Sequence, residues 1–285
     1  MMSTFYGRTS FAHKFIKYFL LSLLCFLYMV PLYSLVLAAF RPGKDLLRYG
    51  ITLGTLIPKG LQLGNVKFLF TNHDGIYFTW FGNSLLILAV QTLLALFFSS
   101  FVAYGLSVYR FKGRKAIMTL VIFLLLVPIQ ILILPLYKLM ITLHLMDTYA
   151  GVFLPMIVSP FAIFFFRQFI DGIPRDLIDA GRVDGLTEYG IFFRIIVPVM
   201  PPAFGAMAIF MSMQSWNNFL WPLIVLRSGN HFTLPIGLNT LLTPYGNNYE
   251  LLIMGSLAAT LPIIIVFIFF QRYFIAGLTS GSVKG

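Results

Sequence analysis

The sequence predicts an all-α membrane protein with six transmembrane helices. Of its 285 residues, 59% are hydrophobic and only 10% are charged, whereas an ordinary soluble domain carries about a quarter charged residues. Such a chain lacks the polar side chains that would cover a water-facing surface. Its net charge of +11 is typical of basic residues that flank membrane spans, so we expect membrane lipid around the chain and no nucleic-acid partner.

Six apolar stretches approach the length of about 20 residues that crosses a bilayer. The first is longer than the roughly 7–15-residue apolar region of a cleavable signal peptide, so we expect it to remain as an anchor. The fifth is interrupted by the polar stretch Met213–Phe219. The predicted spans are 18–40, 84–108, 116–137, 148–166, 199–226 and 251–270.

Several prolines lie within these predicted spans. Proline removes a backbone donor, and neighbouring helices in a membrane bundle satisfy the groups that it frees. The prolines are equally consistent with static kinks in packed helices and with hinges that move. They stand at positions 128, 135, 155, 160, 222 and 262.

The distribution of Lys and Arg predicts the orientation. Six spans place both termini on one side, together with the basic loop Arg110–Lys115 and the loop that follows span four. That side carries 13 of the 20 Lys and Arg residues. Basic residues concentrate in cytoplasmic loops, so we expect both termini in the cytoplasm and the segment 41–80 outside.

The spans contain no sign of ion coupling or of an enzymatic site. No Asp, Glu, Lys or Arg lies in the interior of a predicted span, where proton-coupled carriers usually place ionisable residues. The chain also has no G-x-x-x-x-G-K-[ST] phosphate-binding loop. Its four histidines are scattered over loops, so we expect no metal site, no catalytic residue and no cofactor in this chain. Any pumping would then take its energy from another polypeptide.

An acid-rich segment, Ile173–Pro202, connects spans four and five. Five of the nine acidic residues of the chain lie between positions 171 and 188. Pro174 suits the first turn of a helix, Gly185 suits the left-handed bend that ends it, and Thr187 suits the cap of a second helix. The segment therefore predicts helix, glycine bend and helix at the cytoplasmic surface. It is either an amphipathic connector or a docking element for a partner.

The same segment resembles the EAA loop of permease subunits in binding-protein-dependent ABC importers. That family pattern is E-A-A, three residues, G, nine residues and I-x-L-P. This chain has Asp179-Ala180-Gly181, then Gly185, then Ile195-x-Val197-Pro198 at the same spacing. The small residues at 180 and 181 predict a bare helix face that another chain could approach. The residues that the resemblance assigns to ATPase coupling are Asp179, Ala180, Gly181, Asp184, Gly185, Ile195 and Pro198.

Three further motifs resemble the carbohydrate branch of this family. Asn83-Ser84-Leu85 opens span two, and the segment Trp216–Pro222 is similar to its W-N-x-F-L-W-P element. The ending, Gln271–Gly285, is similar to that of the maltose-type inner permease. The resemblance thus extends over nearly the whole chain and implies an ABC importer type I permease fold with a cytoplasmic coupling helix.

The resemblance also implies an assembly and a location. It implies a second related permease as heterodimer partner, two cytoplasmic ATPase subunits that bind ATP and Mg²⁺, and an extracytoplasmic solute-binding protein. The location would be the bacterial cytoplasmic membrane. The implied domains are an anchor helix with external segment (1–78), a permease core (79–272) and a cytoplasmic tail (273–285).

The route of the sugar has two interpretations at this stage. Aromatic and amide side chains in span five suit a substrate path, but amides also form ordinary hydrogen bonds between membrane helices. The external loop 227–250 either reaches the binding protein or is an ordinary surface loop. An ion-coupled or facilitative secondary carrier and a membrane scaffold are the alternative functions. The predicted path residues are Gln214, Trp216, Asn217, Asn218 and Trp221.

Overall fold

The computed structural model describes residues 11–41, 57, 62–71, 75–242 and 248–280. These residues form helices and connecting turns and no strand, which confirms the all-α prediction. A π-helical turn follows α9 at Phe192–Ile196, and 3-10 turns occupy Leu154–Met156 and Gly229–His231. The helices are α1 Phe11–Ala39, α2 Gly64–Thr71, α3 Ile76–Val108, α4 Arg114–Leu125, α5 Ile129–Thr142, α6 Tyr149–Phe153, α7 Pro160–Asp171, α8 Arg175–Val183, α9 Glu188–Ile191, α10 Val197–Val199, α11 Pro201–Trp216, α12 Leu220–Val225, α13 Leu234–Thr240 and α14 Tyr249–Ser280.

Three helices in the described part of the chain are long and apolar enough to cross a membrane: α1, α3 and α14. Three bent helix pairs bring the number to six if each pair counts as one span. The bend is 105° between α4 and α5, 43° between the α6 segment and α7, and 83° between the α9–α10 segment and α11. The six-span count therefore stays a prediction.

Several of the prolines begin helices instead of kinking them. Pro128 directly precedes α5, and Pro160 and Pro201 are first residues of α7 and α11. A proline disfavours helical backbone in the residue before it, so each one separates the two arms of a bent pair. Pro135 and Pro262 do lie inside α5 and α14, as expected.

The chain divides into two compact units, the first of which comprises residues 1–72 and 241–258. Within it, the amide of Asn65 donates to the carbonyl oxygens of Ala39 and Arg41, both at 2.8 Å. These carbonyls at the end of α1 have no partner within the helix, so α2 caps α1. Most α1 side chains are exposed, including Tyr28 at 78%.

The second unit comprises residues 73–240 and 259–285. Its α3 packs along α7 and α11. One buried cluster lies where α3 and α7 meet the segment 178–200 and includes Tyr104, Phe166 and Phe192. A second cluster surrounds Trp221 and Val225. The predicted domain boundaries at 78 and 272 stay predictions, and α14 extends the helix as far as Ser280, into the predicted tail.

Candidate functional site

The acid-rich segment has the predicted order of helix, glycine bend and helix. α8 spans nine residues, and Pro174 stands just before its first residue instead of occupying it. Gly185 has φ +78°, the left-handed conformation that glycine adopts without steric cost. The hydroxyl of Thr187 accepts a hydrogen bond from the Gly190 N–H at 3.1 Å and so caps α9. These local predictions are confirmed, whereas the coupling role of the segment stays a prediction.

Gly181 is small for a reason that the sequence did not reveal. It is buried, and a β-carbon at this position would lie 2.5 Å from Cδ1 of Ile195 and 3.3 Å from Cγ1 of Ile191. The prediction of a bare face open to another chain is therefore wrong at Gly181, because the segment fills that face with its own second half. Ala180 is exposed, Ile195 is half-buried, and Pro198 is exposed.

Internal ion pairs account for three of the five clustered acids. Asp171 lies 3.4 Å from Nε of Arg167. Arg182 links the other two, since it donates to Asp179 and to Glu188, each at 2.9 Å. The clustering of acids therefore serves in part to fix the segment to itself and to its neighbours.

The outer face of α8 combines exposed acids with an exposed apolar side chain. Asp176 and Asp184 are exposed, and neither carboxylate has a hydrogen bond or ion pair with another described residue. Val183 is 87% exposed, whereas Ile178 on the opposite face is 1% exposed. Asp179 and Ala180 complete this outer face. The sequence analysis did not identify Val183, because its exposure follows from the inward orientation of Gly181, which only the structure shows.

The two tryptophans of the predicted substrate path face the protein interior. Trp221 is 2% exposed, and its indole N–H lies 3.2 Å from the carbonyl oxygens of Gly151 and Val152. Trp216 is also buried and donates to the carbonyl of Ala259 at 3.0 Å. Both indoles serve helix packing, so neither offers a free ring face for sugar in this structure.

The amides of the predicted path remain accessible. Gln214 and Asn217 are exposed and Asn218 is half-buried. The helix breaks directly after them, as the polar interruption predicts, because α11 ends at Trp216 and α12 begins at Leu220. Interhelical hydrogen bonds of the alternative interpretation also occur, since Ser215 donates to Gln91 of α3 at 3.2 Å.

A charged cluster that the sequence analysis missed joins the turn before α6 to the loop after α12. The carboxylate of Asp147 accepts the N–H groups of Arg227 and Ser228 at 2.8 and 3.0 Å, and the Ser228 hydroxyl as well. Nδ1 of His231 lies 3.2 Å from the same carboxylate. Asp147 itself has φ +58°, a conformation in which aspartate is enriched. We call these four residues the Asp147 latch.

The latch gives Asp147 a shifted acidity. Burial raises the pKa of this carboxyl, but the hydrogen bonds from Ser228 and Arg227 lower it by more, so the pKa of Asp147 lies well below its usual range. A carboxyl with a depressed pKa contributes stability above its unfolded pKa of about 3.9, and this contribution is lost as the pH falls through the folded value.

Asp147→Asn is expected to lower stability by about 1.5–3 kcal/mol, because hydrogen bonds to a charged acceptor are replaced by weaker ones. Asparagine tolerates the positive φ. The difference in thermal midpoint from the parent should stay constant between pH 7 and pH 5 and shrink below about pH 4. Both chains should carry His231→Gln, so that imidazole protonation does not contribute. A difference that already shrinks between pH 7 and pH 5 would contradict the assignment.

The N-S-L motif at the start of span two has a structural role. The amide of Asn83 donates to the carbonyls of Asn230 and Phe232 at 2.8 and 2.9 Å, and the Ser84 hydroxyl accepts from Leu234 N–H at 2.7 Å. Together with Trp80, which donates to a carbonyl in the same loop at 2.9 Å, these residues hold the loop on α3. Contact of loop 227–250 with a binding protein stays a prediction, and positions 243–247 of this loop lie outside the described residues.

Comparisons with known proteins agree with this architecture. A family model described as binding-protein-dependent transport system inner membrane component matches residues 95–280. The chain is 57% identical to the arabinooligosaccharides transport system permease protein AraQ of Bacillus subtilis, covering 92% of this chain and 93% of that protein. It is 38% identical to the lactose transport system permease protein LacG of Rhizobium radiobacter, covering 94% and 96%.

The fold also matches a solved structure. A crystal structure of a bacterial ABC transporter involved in the import of the acidic polysaccharide alginate superposes with a TM-score of 0.80 at 20% identity, over 95% of this chain and 100% of that chain. This chain therefore belongs to the family of binding-protein-dependent transport system inner membrane components. It is a membrane-embedded permease subunit of an ABC importer, and the family resemblance identified from the EAA-like spacing is confirmed.

Proposed function

We propose that this chain is one of the two permease subunits of an ATP-driven importer of arabinooligosaccharides. The observation that carries the proposal is the 57% identity to AraQ along 92% of the chain. Lactose, the sugar named for a relative at 38% identity, is the second substrate class to test. Both sugars are uncharged, which is consistent with a path that offers amides.

The proposed assembly contains a second related permease, two cytoplasmic ATPase subunits and an extracytoplasmic sugar-binding protein. ATP and Mg²⁺ bind in the ATPase subunits, and this chain holds no cofactor. Both termini and the acid-rich segment lie in the cytoplasm. The orientation is supported by the basic residues of the loop Arg110–Lys115 and of the acid-rich segment.

The outer face of α8 is the proposed docking surface for an ATPase subunit. Asp176 and Asp184 are charged, their carboxylates have no partner among the described residues, and Val183 offers an exposed apolar contact between them. Carboxylates at the rim of an apolar contact suit a basic cleft on a soluble partner, because charge steers association and the apolar residue supplies contact area. Closure of the ATPase pair would then displace α8.

Sugar is proposed to pass the break between α11 and α12. Gln214 and Asn217 are exposed there, and Asn218 is half-buried. Amide groups donate and accept hydrogen bonds and can therefore replace the water that hydrates sugar hydroxyls. The two buried tryptophans position this break from behind and do not touch the sugar.

The test is uptake by proteoliposomes that contain the purified complex. The tagged chain is isolated in mild detergent with its co-purifying subunits, which mass spectrometry identifies, and the binding protein is added with labelled arabinotriose. We expect uptake that requires ATP and that unlabelled arabinotriose abolishes while lactose does not. If unlabelled lactose competed and unlabelled arabinotriose did not, lactose would replace arabinooligosaccharides as the proposed substrate class. Uptake by the chain alone, driven by an ion gradient without ATP, would overturn the importer and favour a secondary carrier.

A further inference from the structure

Glu188 connects the two helices of the acid-rich segment to the long helix α3. Its Oε1 accepts a hydrogen bond from Nε of Arg182 in α8 at 2.9 Å. Its Oε2 accepts one from the hydroxyl of Tyr104 in α3 at 2.9 Å. Glu188 is itself the first residue of α9. One carboxylate thus bridges α8, α9 and α3.

The position of Tyr104 is fixed by its surroundings. The residue is 2% exposed and belongs to the buried cluster that also contains Ile178 and Ile191. Its ring lies 5.4 Å from that of Phe192, between ring centroids. A phenol that is held in place and bonded to a carboxylate forms a directional, charge-assisted hydrogen bond. The hydroxyl of Tyr104 therefore has one defined partner in the segment.

A second link lies one turn further along the same face of α3, since residues three apart on a helix are neighbours. The carbonyl oxygen of Ser107 accepts from the guanidinium of Arg175 at 2.8 Å, and the Ser107 hydroxyl donates to Asp171. This link holds the beginning of α8, whereas Tyr104 holds the beginning of α9 and, through Arg182, the end of α8. The two links therefore hold opposite ends of α8.

We propose that the Tyr104–Glu188 hydrogen bond is a positioning contact that transmits displacement of α8 to α3 during transport. The inference rests on the proposed function, in which an ATPase subunit moves α8. Because α3 packs along α11, a displacement delivered at Tyr104 reaches the helix that ends at the proposed sugar path. Tyr104 touches neither ATP nor sugar, so its effect falls on the coupling between the two.

The test compares Tyr104→Phe with Tyr189→Phe in the reconstituted complex. Both changes delete one phenol hydroxyl. The hydroxyl of Tyr189 has no partner among the described residues, and its ring stacks on Phe101 at 5.9 Å. The readout is the number of arabinotriose molecules imported per ATP hydrolysed, which a general loss of folded complex does not change.

We expect Tyr104→Phe to lower this ratio by about two- to thirty-fold, the range that corresponds to single changes within a coupled network. Tyr189→Phe should leave it unchanged. Glu188→Gln should also lower it, and the double variant should lower it no further than Glu188→Gln alone, because that change already removes the charged acceptor of the Tyr104 hydroxyl. If the complex with Tyr104→Phe does not assemble, the ratio measured for Glu188→Gln is compared with that of the parent complex instead.

Two results would overturn the inference: an unchanged ratio in Tyr104→Phe, which includes import and hydrolysis that fall in parallel, or a double variant whose ratio falls below that of Glu188→Gln alone. These differ from failure of the proposed function. In that case the complex of the unmodified chain would itself hydrolyse no ATP or would import sugar without it.

Discussion

Gly185→Pro is expected to abolish ATP-dependent sugar uptake while the chain still reaches the membrane. Gly185 has φ +78°, whereas the proline ring holds φ near −65°. Proline would also remove the N–H that Gly185 donates to the carbonyl of Arg182 at 3.1 Å. The bend between α8 and α9 could not form, and α8 would lose its fixed direction relative to α3. We expect uptake of arabinotriose in proteoliposomes to fall by more than about ten-fold, since the lost conformation and hydrogen bond together exceed about 1.4 kcal/mol.

Gly185→Asn is the matched control for this experiment. Asparagine adopts the left-handed conformation more readily than other non-glycine residues and keeps the backbone N–H. Among the described residues, no heavy atom of the surrounding structure lies within 4 Å of a β-carbon at this position. Uptake by Gly185→Asn should therefore remain within about three-fold of the parent, a loss of less than about 1 kcal/mol. Normal uptake by Gly185→Pro would mean that the bend is dispensable and that the acid-rich segment does not transmit a displacement to the membrane helices.

Gly151→Ala is expected to destabilise the folded chain by about 3 kcal/mol, at the upper end of the cost of overpacking. The added β-carbon would lie 2.2 Å from the carbonyl oxygen of Leu145, a backbone atom, and 3.0 Å from a methyl of Val225. The Leu145 oxygen also accepts the hydroxyl of Thr148 at 2.8 Å, which limits its freedom to move. Relief would separate α6 from the turn before it and disturb the hydrogen bonds of Trp221. The thermal midpoint of the purified chain, followed by size-exclusion chromatography after heating, measures the effect.

Gly82→Ala provides the comparison for the same chemical change. Gly82 lies in α3. Among the described residues, no heavy atom of the surrounding structure lies within 4 Å of the place that an alanine methyl would take. Alanine therefore stabilises the helix there by up to about 1 kcal/mol through its higher helix propensity. Its midpoint should equal or exceed that of the parent, while that of Gly151→Ala should be several degrees lower. Equal midpoints for the two variants would contradict the close packing at Gly151.

Local backbone signals in the sequence predicted the acid-rich segment well. Gly185 and Thr187 act through their own backbone conformation and neighbouring N–H groups, so a single chain carries the information. The EAA-like spacing indicated the family to which the chain belongs, and the comparisons confirm this family. The apolar runs indicated the class of fold, because hydropathy and length together determine what can cross a bilayer.

Contacts between distant parts of the chain were not predictable. Gly181 was expected to offer a bare surface, but the surface is filled by Ile195, which approaches it only after the chain bends. Trp221 was predicted to belong to the substrate path and is instead buried against the carbonyls of α6. Asp147 gave no signal, because its partners lie about 80 positions away along the chain. Each of these outcomes depends on tertiary packing, which periodicity does not encode.

The absence of proline from α3 bears on how a displacement at one end of this helix reaches the other end. Its 33 residues contain none, unlike α1 and α14, which contain Pro31 and Pro262. Side chains fasten it near both ends, at Trp80 to the loop that follows α12 and at Ser107 to α8. The distance between these anchor points is about 40 Å at 1.5 Å per residue. A tilt of about 5° at one anchor would shift the other by roughly 3–4 Å, so a small push on one side of the membrane would open a gap as wide as a water molecule on the other.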